Sequence, residues 1–379
     1  MSKKRRFGRV RQLPSGRWQA RYPDPSGMDR PAPHTFATKR DADLWLTRVE
    51  SDMIAGSWRD PDLGTEQLGG YLTDWIDHRP NLRPRTVDLY RWLNRKYIEP
   101  TLSGKMLKNI TPGMVREWRA NLLADGIAAT MVAKAYRLLR AVLNTAVDDE
   151  LIRRNPCRIP GAGTERPAER PTATVAQVLT LADTVPARFR ALILLAAFTG
   201  LRYGELAALR RQDVGEDFDT IDVRATLVER STGELLFGPP KTDAGVRRVT
   251  VPKAIRPDVS HHFENYVGDA ADALVFTTIT GAVLRRSGFQ RSARWTQSVI
   301  DAGLPGFHFH DLRHTGNKLA APGSSLADLM ARMGHASTRA AMIYQHAAQE
   351  QDREIADRLS GHIKKERDRA RNGHAQPRS

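Results

Sequence analysis

Cysteine is nearly absent. Cys157 stands alone in 379 residues, which excludes an intrachain disulfide and a cysteine-based zinc cluster and suits a reducing compartment. Long apolar runs are missing as well: no stretch approaches the roughly 20 residues a membrane span needs, and the longest, residues 191–198, reads as a buried core helix. Residues 1–11 are basic but lack the apolar centre of a secretory signal, so a cytoplasmic, nucleoid-associated location with no membrane partner is expected. Internal repeats are not found. Acidic residues are too few to balance the basic ones: 43 Asp and Glu face 59 Lys and Arg, for a formal charge of +16. An excess of that size points to a polyanionic partner, nucleic acid first.

The excess is uneven. Residues 1–60 carry 13 basic and 7 acidic side chains, residues 61–160 carry 16 and 11, and residues 361–379 carry 6 and 2, which leaves the rest nearly neutral. DNA-holding surface is therefore expected before residue 160 and in the tail. The chain is also longer than one hydrophobic core usually organises. Its pattern predicts a multidomain, mainly α fold. Residues 1–60 read as a three-stranded sheet (8–13, 17–22 and about 34–36) packed on a helix that Thr38 caps, with Ala42, Trp45, Leu46 and Val49 on its apolar face. Residues 61–160 read as four helices punctuated by Pro84, Pro100 and Pro112. Residues 155–171, rich in Pro, Gly and Arg, read as a linker into a mixed, mainly α domain over 161–379 with a small β-sheet between about 220 and 251. In the first domain, Lys3, Lys4, Arg5, Arg6 and Arg17 interleaved with Trp18 suit a sheet laid against a DNA groove.

Chemistry concentrates in four places. The sequence Thr199-Gly200-Leu201-Arg202-Tyr203-Gly204-Glu205-Leu206 follows the apolar run, and Gly200 permits a tight turn that puts Arg202 at a helix N-terminus, a position that favours phosphate. By itself this motif fits equally well a local Arg202–Glu205 pair. Lys241 lies in Pro239-Pro240-Lys241-Thr242-Asp243-Ala244-Gly245, and Arg247 and Arg248 on the following strand are expected to grip backbone phosphate. His310 and Arg313, in His310-Asp311-Leu312-Arg313-His314-Thr315, share a face if the segment is helical. Gly334-His335 precedes Tyr344 by nine residues.

Together, and in this order, these motifs resemble the tyrosine recombinase family, specifically the integrases of phages and integrative elements. The resemblance spans essentially the whole chain. It implies that Arg202, His310, Arg313, His335 and Lys241 assist Tyr344, which attacks a DNA phosphate to leave a 3′-phosphotyrosyl bond and a free 5′-hydroxyl. Glu205 would orient neighbouring groups. It also implies an N-terminal domain for accessory arm sites, a core-binding domain, double-stranded attachment-site DNA as substrate and a homo-tetramer on DNA. It leaves room for an excisionase and a host DNA-bending protein, and it implies no cofactor. The residue types suit that reaction, because negative charge that builds on phosphate oxygens without a metal must be met by fixed cations, and a guanidinium fork matches those oxygens bidentately. A phenol with an ordinary pKa of about 10 also needs positive neighbours and a base.

Other readings compete with this one. His308, His310, His314, His335 and His346 have the residue type for a metal site, but neither cysteines nor an obvious carboxylate set accompanies them. Asp148, Asp149 and Glu150 are consecutive, so they point different ways and read as a solvated helix end. For Lys241 the competing reading is a surface lysine, since lysines in Lys-Thr loops are common. A catalytically silent DNA-binding regulator would lack one of the catalytic residues, and a topoisomerase-like enzyme would share the tyrosine chemistry without an arm-like N-terminal domain.

Overall fold

A computed structural model describes residues 6–60, 62–165, 170–322 and 324–334. The chain divides into two compact units, residues 1–167 and 168–379.

In the first unit β1 (Arg9–Gln12), β2 (Trp18–Pro23) and β3 (Asp29–Pro31) form an antiparallel sheet in chain order. Ala20 and Tyr22 of β2 pack on Ala42, Leu46 and Val49 of α1 (Lys39–Ile54), whose N-terminus Thr38 caps by accepting from Asp41 N. The third strand lies earlier than the sequence pattern predicts. Asp24 accepts from the amides of Ser26 and Met28, folding residues 24–28 into a tight Asx turn, so the strand begins at Asp29 while Phe36 only bridges back to Trp18.

The rest of this unit is helical: α2 (Leu68–Asp77), α3 (Pro84–Leu93), α4 (Glu99–Leu102), α5 (Pro112–Ala124) and α6 (Ala129–Asp148). Pro84 and Pro112 start helices, where a missing N–H costs nothing. Pro100 does not break its helix. A π-helical turn over Asn94–Ile98 joins α3 to α4 and absorbs the lost donor. Leu72, Trp75, Tyr97, Trp118, Tyr136 and Leu139 are among the residues of this core. Residues 155–165, the first part of the segment read as a linker, pack against this core. Cys157 and Ala162 are buried in that core, Ile159 N donates to Tyr136 Oη at 2.9 Å, and Asn155 bonds the Arg140 carbonyl.

The second unit runs α7 (Val175–Thr184), α8 (Arg190–Thr199), α9 (Tyr203–Ala207), β4 (Thr220–Val223), β5 (Thr226–Glu229), β6 (Leu235–Gly238), β7 (Arg247–Thr250), α10 (Arg256–Tyr266), α11 (Arg286–Ser292), α12 (Trp295–Asp301), α13 (Phe309–Ala320) and α14 (Leu326–Met333). Helix α8 is apolar all round because it is buried all round, with α7, α10 and α13 packed against it. The strands form two separate antiparallel pairs, β4 with β7 and β5 with β6. Among the described residues no helix is long and apolar enough to cross a membrane.

Candidate active site

Helix α8 ends at Gly200, whose φ of 70° lies in the left-handed region, and the reversed chain places Arg202 as the residue capping α9. Helix α13 crosses α8 with Gly316 against it: a Cβ there would stand 2.2 Å from the Ala197 carbonyl oxygen. That close approach brings the Arg313 guanidinium to the other side of the same turn, where it donates to the carbonyls of Gly200 and Met333. Arg202 Nη2 donates to the next carbonyl, Gly334 O, at 3.3 Å. The two guanidiniums therefore converge on consecutive carbonyls at the end of α14. Gly334 can occupy this corner because its φ is 63° and a side chain would meet Ala244 O at 2.8 Å. Arg313 is almost wholly buried, whereas the Arg202 side chain keeps 39% of its surface.

Beneath them lies Glu205. Its Oε1 accepts from Arg202 Nη1 at 2.7 Å and its Oε2 from Arg202 N at 2.9 Å, so the local pair anticipated from the spacing exists. The same carboxylate also takes Arg247 Nη2 at 3.0 Å. Burial works to raise the Glu205 carboxyl, but the bonds and charge of Arg247, then the Arg202 amide and guanidinium, outweigh it and hold the group below the usual carboxylate range. Arg247 was expected at the DNA surface, and the structure places it elsewhere. Its side chain is 6% exposed, because on β7 it shares a face with the buried Val249 and Val251. Arg248 points outward at 68% exposure, and Asp222 holds its guanidinium at 2.7 and 2.9 Å.

His310 opens α13 one turn before Arg313. Desolvation, then the nearby His314, Arg313 and Arg202 charges, push its imidazole down to about 4, so it is neutral at pH 7, while the residue as a whole remains exposed. The His314 ring stands edge-on to it, with centroids 5.0 Å apart. Lys241 is exposed, in the connection from β6 to β7, strands that pair with β5 and β4 and not with each other. Among the described residues no group of three or more His, Cys, Asp and Glu is placed to hold a metal ion. His335 and Tyr344 lie outside the described residues, as do Lys3, Lys4 and Arg5. Arg6, ahead of β1, and Arg17, just ahead of β2, are exposed. Arg17 bonds Thr35 Oγ1 and O, and the Trp18 ring is half-buried against the α1 core.

Sequence reasoning missed three supports. Asp311, 1% exposed, takes both Arg170 nitrogens and the His308 amide, pinning the start of the second unit to the N-terminus of α13. Thr315 Oγ1 accepts from Ala173 N beside it. Arg332 reaches back to the Phe198 carbonyl at 2.9 Å and so ties α14 to the end of α8.

Comparison with known proteins bears on what this arrangement serves. A model described as "Phage integrase family" matches residues 172–351, and one described as "Phage integrase, N-terminal domain" matches residues 6–55. The putative prophage phiRv2 integrase of Mycobacterium tuberculosis (strain ATCC 25618 / H37Rv) is 38% identical over 365 residues, covering 94% of this chain and 96% of that one. The chain belongs to the phage integrase family of tyrosine recombinases. Membership carries the coarse function of a site-specific recombinase. The integrase of Mycobacterium phage D29 is 34% identical over 373 residues, covering 95% of this integrase and 98% of that one. Among solved structures, the Tn1549 transposon integrase in complex with a circular intermediate DNA superposes with a TM-score of 0.67 at 21% identity, over 78% of this chain and 99% of that chain. A lambda integrase dimer bound to a core site superposes at 0.56 and 17%, over 90% and 96%. At these identities the likeness establishes the fold.

Proposed function

We propose that the chain cuts and rejoins attachment-site DNA through a covalent bond between Tyr344 and the scissile phosphate. The observation that carries this reading is the convergence of Arg202 and Arg313 on the Gly334 and Met333 carbonyls, with the Glu205 carboxylate shared between Arg202 and Arg247. Arg202 and Arg247 share the Glu205 carboxylate and Arg313 adds a further charge beside the Gly334 corner, so the cluster carries excess positive charge partly withdrawn from water, an arrangement that an entering phosphodiester completes.

In the proposed reaction the Tyr344 phenol passes its proton to the neutral His310 imidazole, and its oxygen bonds to phosphorus. The bond from phosphorus to the 5′-oxygen breaks, and that oxygen leaves as a hydroxyl after taking a proton from the Lys241 ammonium. Arg202 and Arg313 meet the charge that develops on the nonbridging oxygens, and His335 hydrogen-bonds the phosphate. Glu205 keeps the Arg202 guanidinium in place. Because the phosphotyrosyl bond stores the diester energy, rejoining runs the steps in reverse with the 5′-hydroxyl of the other strand and needs no nucleotide.

The proposal extends to organisation: residues 1–60 engage accessory arm sites, 61–160 the core site, and 161–379 the core site and the chemistry. Strand exchange between two duplexes asks for four protomers. A lambda integrase tetramer bound to a Holliday junction, similar in fold at 18% identity, supports that number.

The test uses a nicked duplex bearing the element's attachment site, recovered from its genomic junctions, so that the released strand diffuses away and the adduct accumulates. The wild-type chain should give a covalent protein–DNA band under denaturing conditions and Tyr344→Phe none. Arg202→Ala and Arg313→Ala should bind the duplex yet cleave it about 100-fold or more slowly, since the charge they meet exists mainly in the transition state. An adduct that persists in Tyr344→Phe, or loss of binding equal to loss of cleavage, overturns the reading.

A further inference from the structure

Arg247 holds a larger share of the site than its place on β7 suggests. Its guanidinium makes four hydrogen bonds: to Glu205 Oε1 at 3.3 Å, Glu205 Oε2 at 3.0 Å, Gly245 O at 3.0 Å and Arg332 O at 2.9 Å. The Gly245 bond faces the loop that carries Lys241. There, residues Asp243–Gly245 form a single 3₁₀ turn, closed by Gly245 N to Thr242 O at 2.8 Å. Gly245 lies so close to Pro240 that a Cβ on it would stand 2.5 Å from the proline Cβ. Pro240 is itself buried, and Lys241 is the next residue. On its other side the loop meets Gly334, which approaches Ala244 O more closely than any side chain would allow. One guanidinium thus ties together the Arg202–Glu205 turn, the end of α14 and the backbone behind Lys241.

We infer that Arg247 is a positioning residue that sets Lys241 against the leaving 5′-oxygen, acting through Gly245 and Pro240. This rests on the reading of Lys241 as the proton donor. A side chain at 6% exposure with four bonds made has little left to offer DNA directly. Arg248 next to it, turned outward, has no comparable reach into the site.

The consequence is specific to the leaving group. If phosphorus bears a 5′-bridging sulfur, the bond from the tyrosine oxygen to phosphorus forms and the P–S bond breaks with the electron pair leaving on a thiolate. A thiolate is stable at pH 7 without a donated proton, so a defect in proton donation disappears on that substrate. A defect in phosphate binding or in the fold does not.

Single-turnover cleavage is measured on oxygen and sulfur versions of the nicked duplex for the wild-type chain, Lys241→Ala, Arg247→Met, Arg247→Lys and Gly245→Ala. Loss of general acid help costs about 10²- to 10⁴-fold, and misplacement by about 1 Å costs up to about 10²-fold. Arg247→Met and Gly245→Ala are expected to slow the oxygen substrate at least about tenfold and to cleave the sulfur substrate within about threefold of wild type. Arg247→Lys keeps the charge without the fork and should fall between. Gly245→Ala leaves the guanidinium intact, so it decides the matter if the Arg247 variants fold poorly. Slow cleavage of both substrates by Lys241→Ala would show that Lys241 is not the acid. Rescue of Lys241→Ala by sulfur but not of Arg247→Met and Gly245→Ala would leave that reading standing and overturn this one. Wild-type rates in Arg247→Met or Gly245→Ala on oxygen would overturn it as well.

Discussion

Replacing Glu205 by glutamine changes one atom of a buried carboxylate, and the structure says what that atom is worth. Oε1 accepts from Arg202 Nη1 and Arg247 Nη1, and Oε2 from Arg202 N and Arg247 Nη2. Whichever way the amide is turned, its NH₂ faces two donors, so two bonds are lost and the other two become bonds to a neutral acceptor. Charge-assisted hydrogen bonds contribute about 1.5–3 kcal/mol each, and removing one member of a buried ion pair costs about 3–5 kcal/mol because the partner's charge remains. Glu205→Gln should therefore destabilise the second unit by about 3–5 kcal/mol near pH 7. Hydrogen exchange of peptides over residues 190–209 reads this locally, without interference from unfolding of the first unit. The carboxyl lies below its usual range, so its contribution is present throughout neutral pH and is lost only as pH falls through that lowered value; the cost of the variant should shrink there. Arg247→Met should cost a similar amount, and the double variant less than the sum by about 2 kcal/mol. A cost below about 1 kcal/mol, or simple additivity, would refute the claim that this carboxylate holds the arginines together.

Gly316→Ala forces α13 and α8 apart, because its Cβ would stand 2.2 Å from Ala197 O; destabilisation of about 1–3 kcal/mol and a cleavage defect at unchanged DNA affinity are expected, checked by melting and adduct formation. Asp311→Asn breaks the bond set to Arg170 inside the protein and should cost about 3 kcal/mol, measured by denaturant unfolding, with Arg170→Ala costing less because Arg170 is partly exposed. His262 is 3% exposed, donates Nε2–H to the Val275 carbonyl and has no partner for Nδ1 among the described residues; burial pushes its imidazole down to about 4. The unfolded chain binds the proton near 6.5 and the folded one does not until about 4, so stability should fall as pH drops between those values, by at most about 3 kcal/mol from this group. His262→Leu should flatten that part of the profile.

Several of these features were readable from the residue order and others were not, for identifiable reasons. The Gly200 turn, the shared face of His310 and Arg313 and the Thr38 cap each follow from local geometry, and local geometry survived folding. Arg247 and Arg248 were read alike because both are basic, yet strand alternation with Val249 and Val251 already separates an inward from an outward arginine. The third N-terminal strand was misplaced because the Asx turn at Asp24 is shorter than the Pro- and Gly-rich stretch around it. Pro100 marks a helix start, as its residue type suggests, but the π turn before it and the Tyr136 hydroxyl that holds Ile159 rest on contacts that no local pattern encodes. The Arg170–Asp311 bond joins residues 141 positions apart and leaves no mark in the sequence.

The central claim is tested most directly by identifying the amino acid that carries DNA. Trypsin cuts after Arg339 and Arg353, releasing a peptide over residues 340–353 in which Tyr344 is the sole tyrosine. After nuclease digestion of the trapped adduct, mass spectrometry should find that peptide bearing a nucleotide 3′-phosphate on Tyr344. A nucleotide on any other residue, or no covalent species from a substrate that the wild-type chain demonstrably cleaves, would contradict the account.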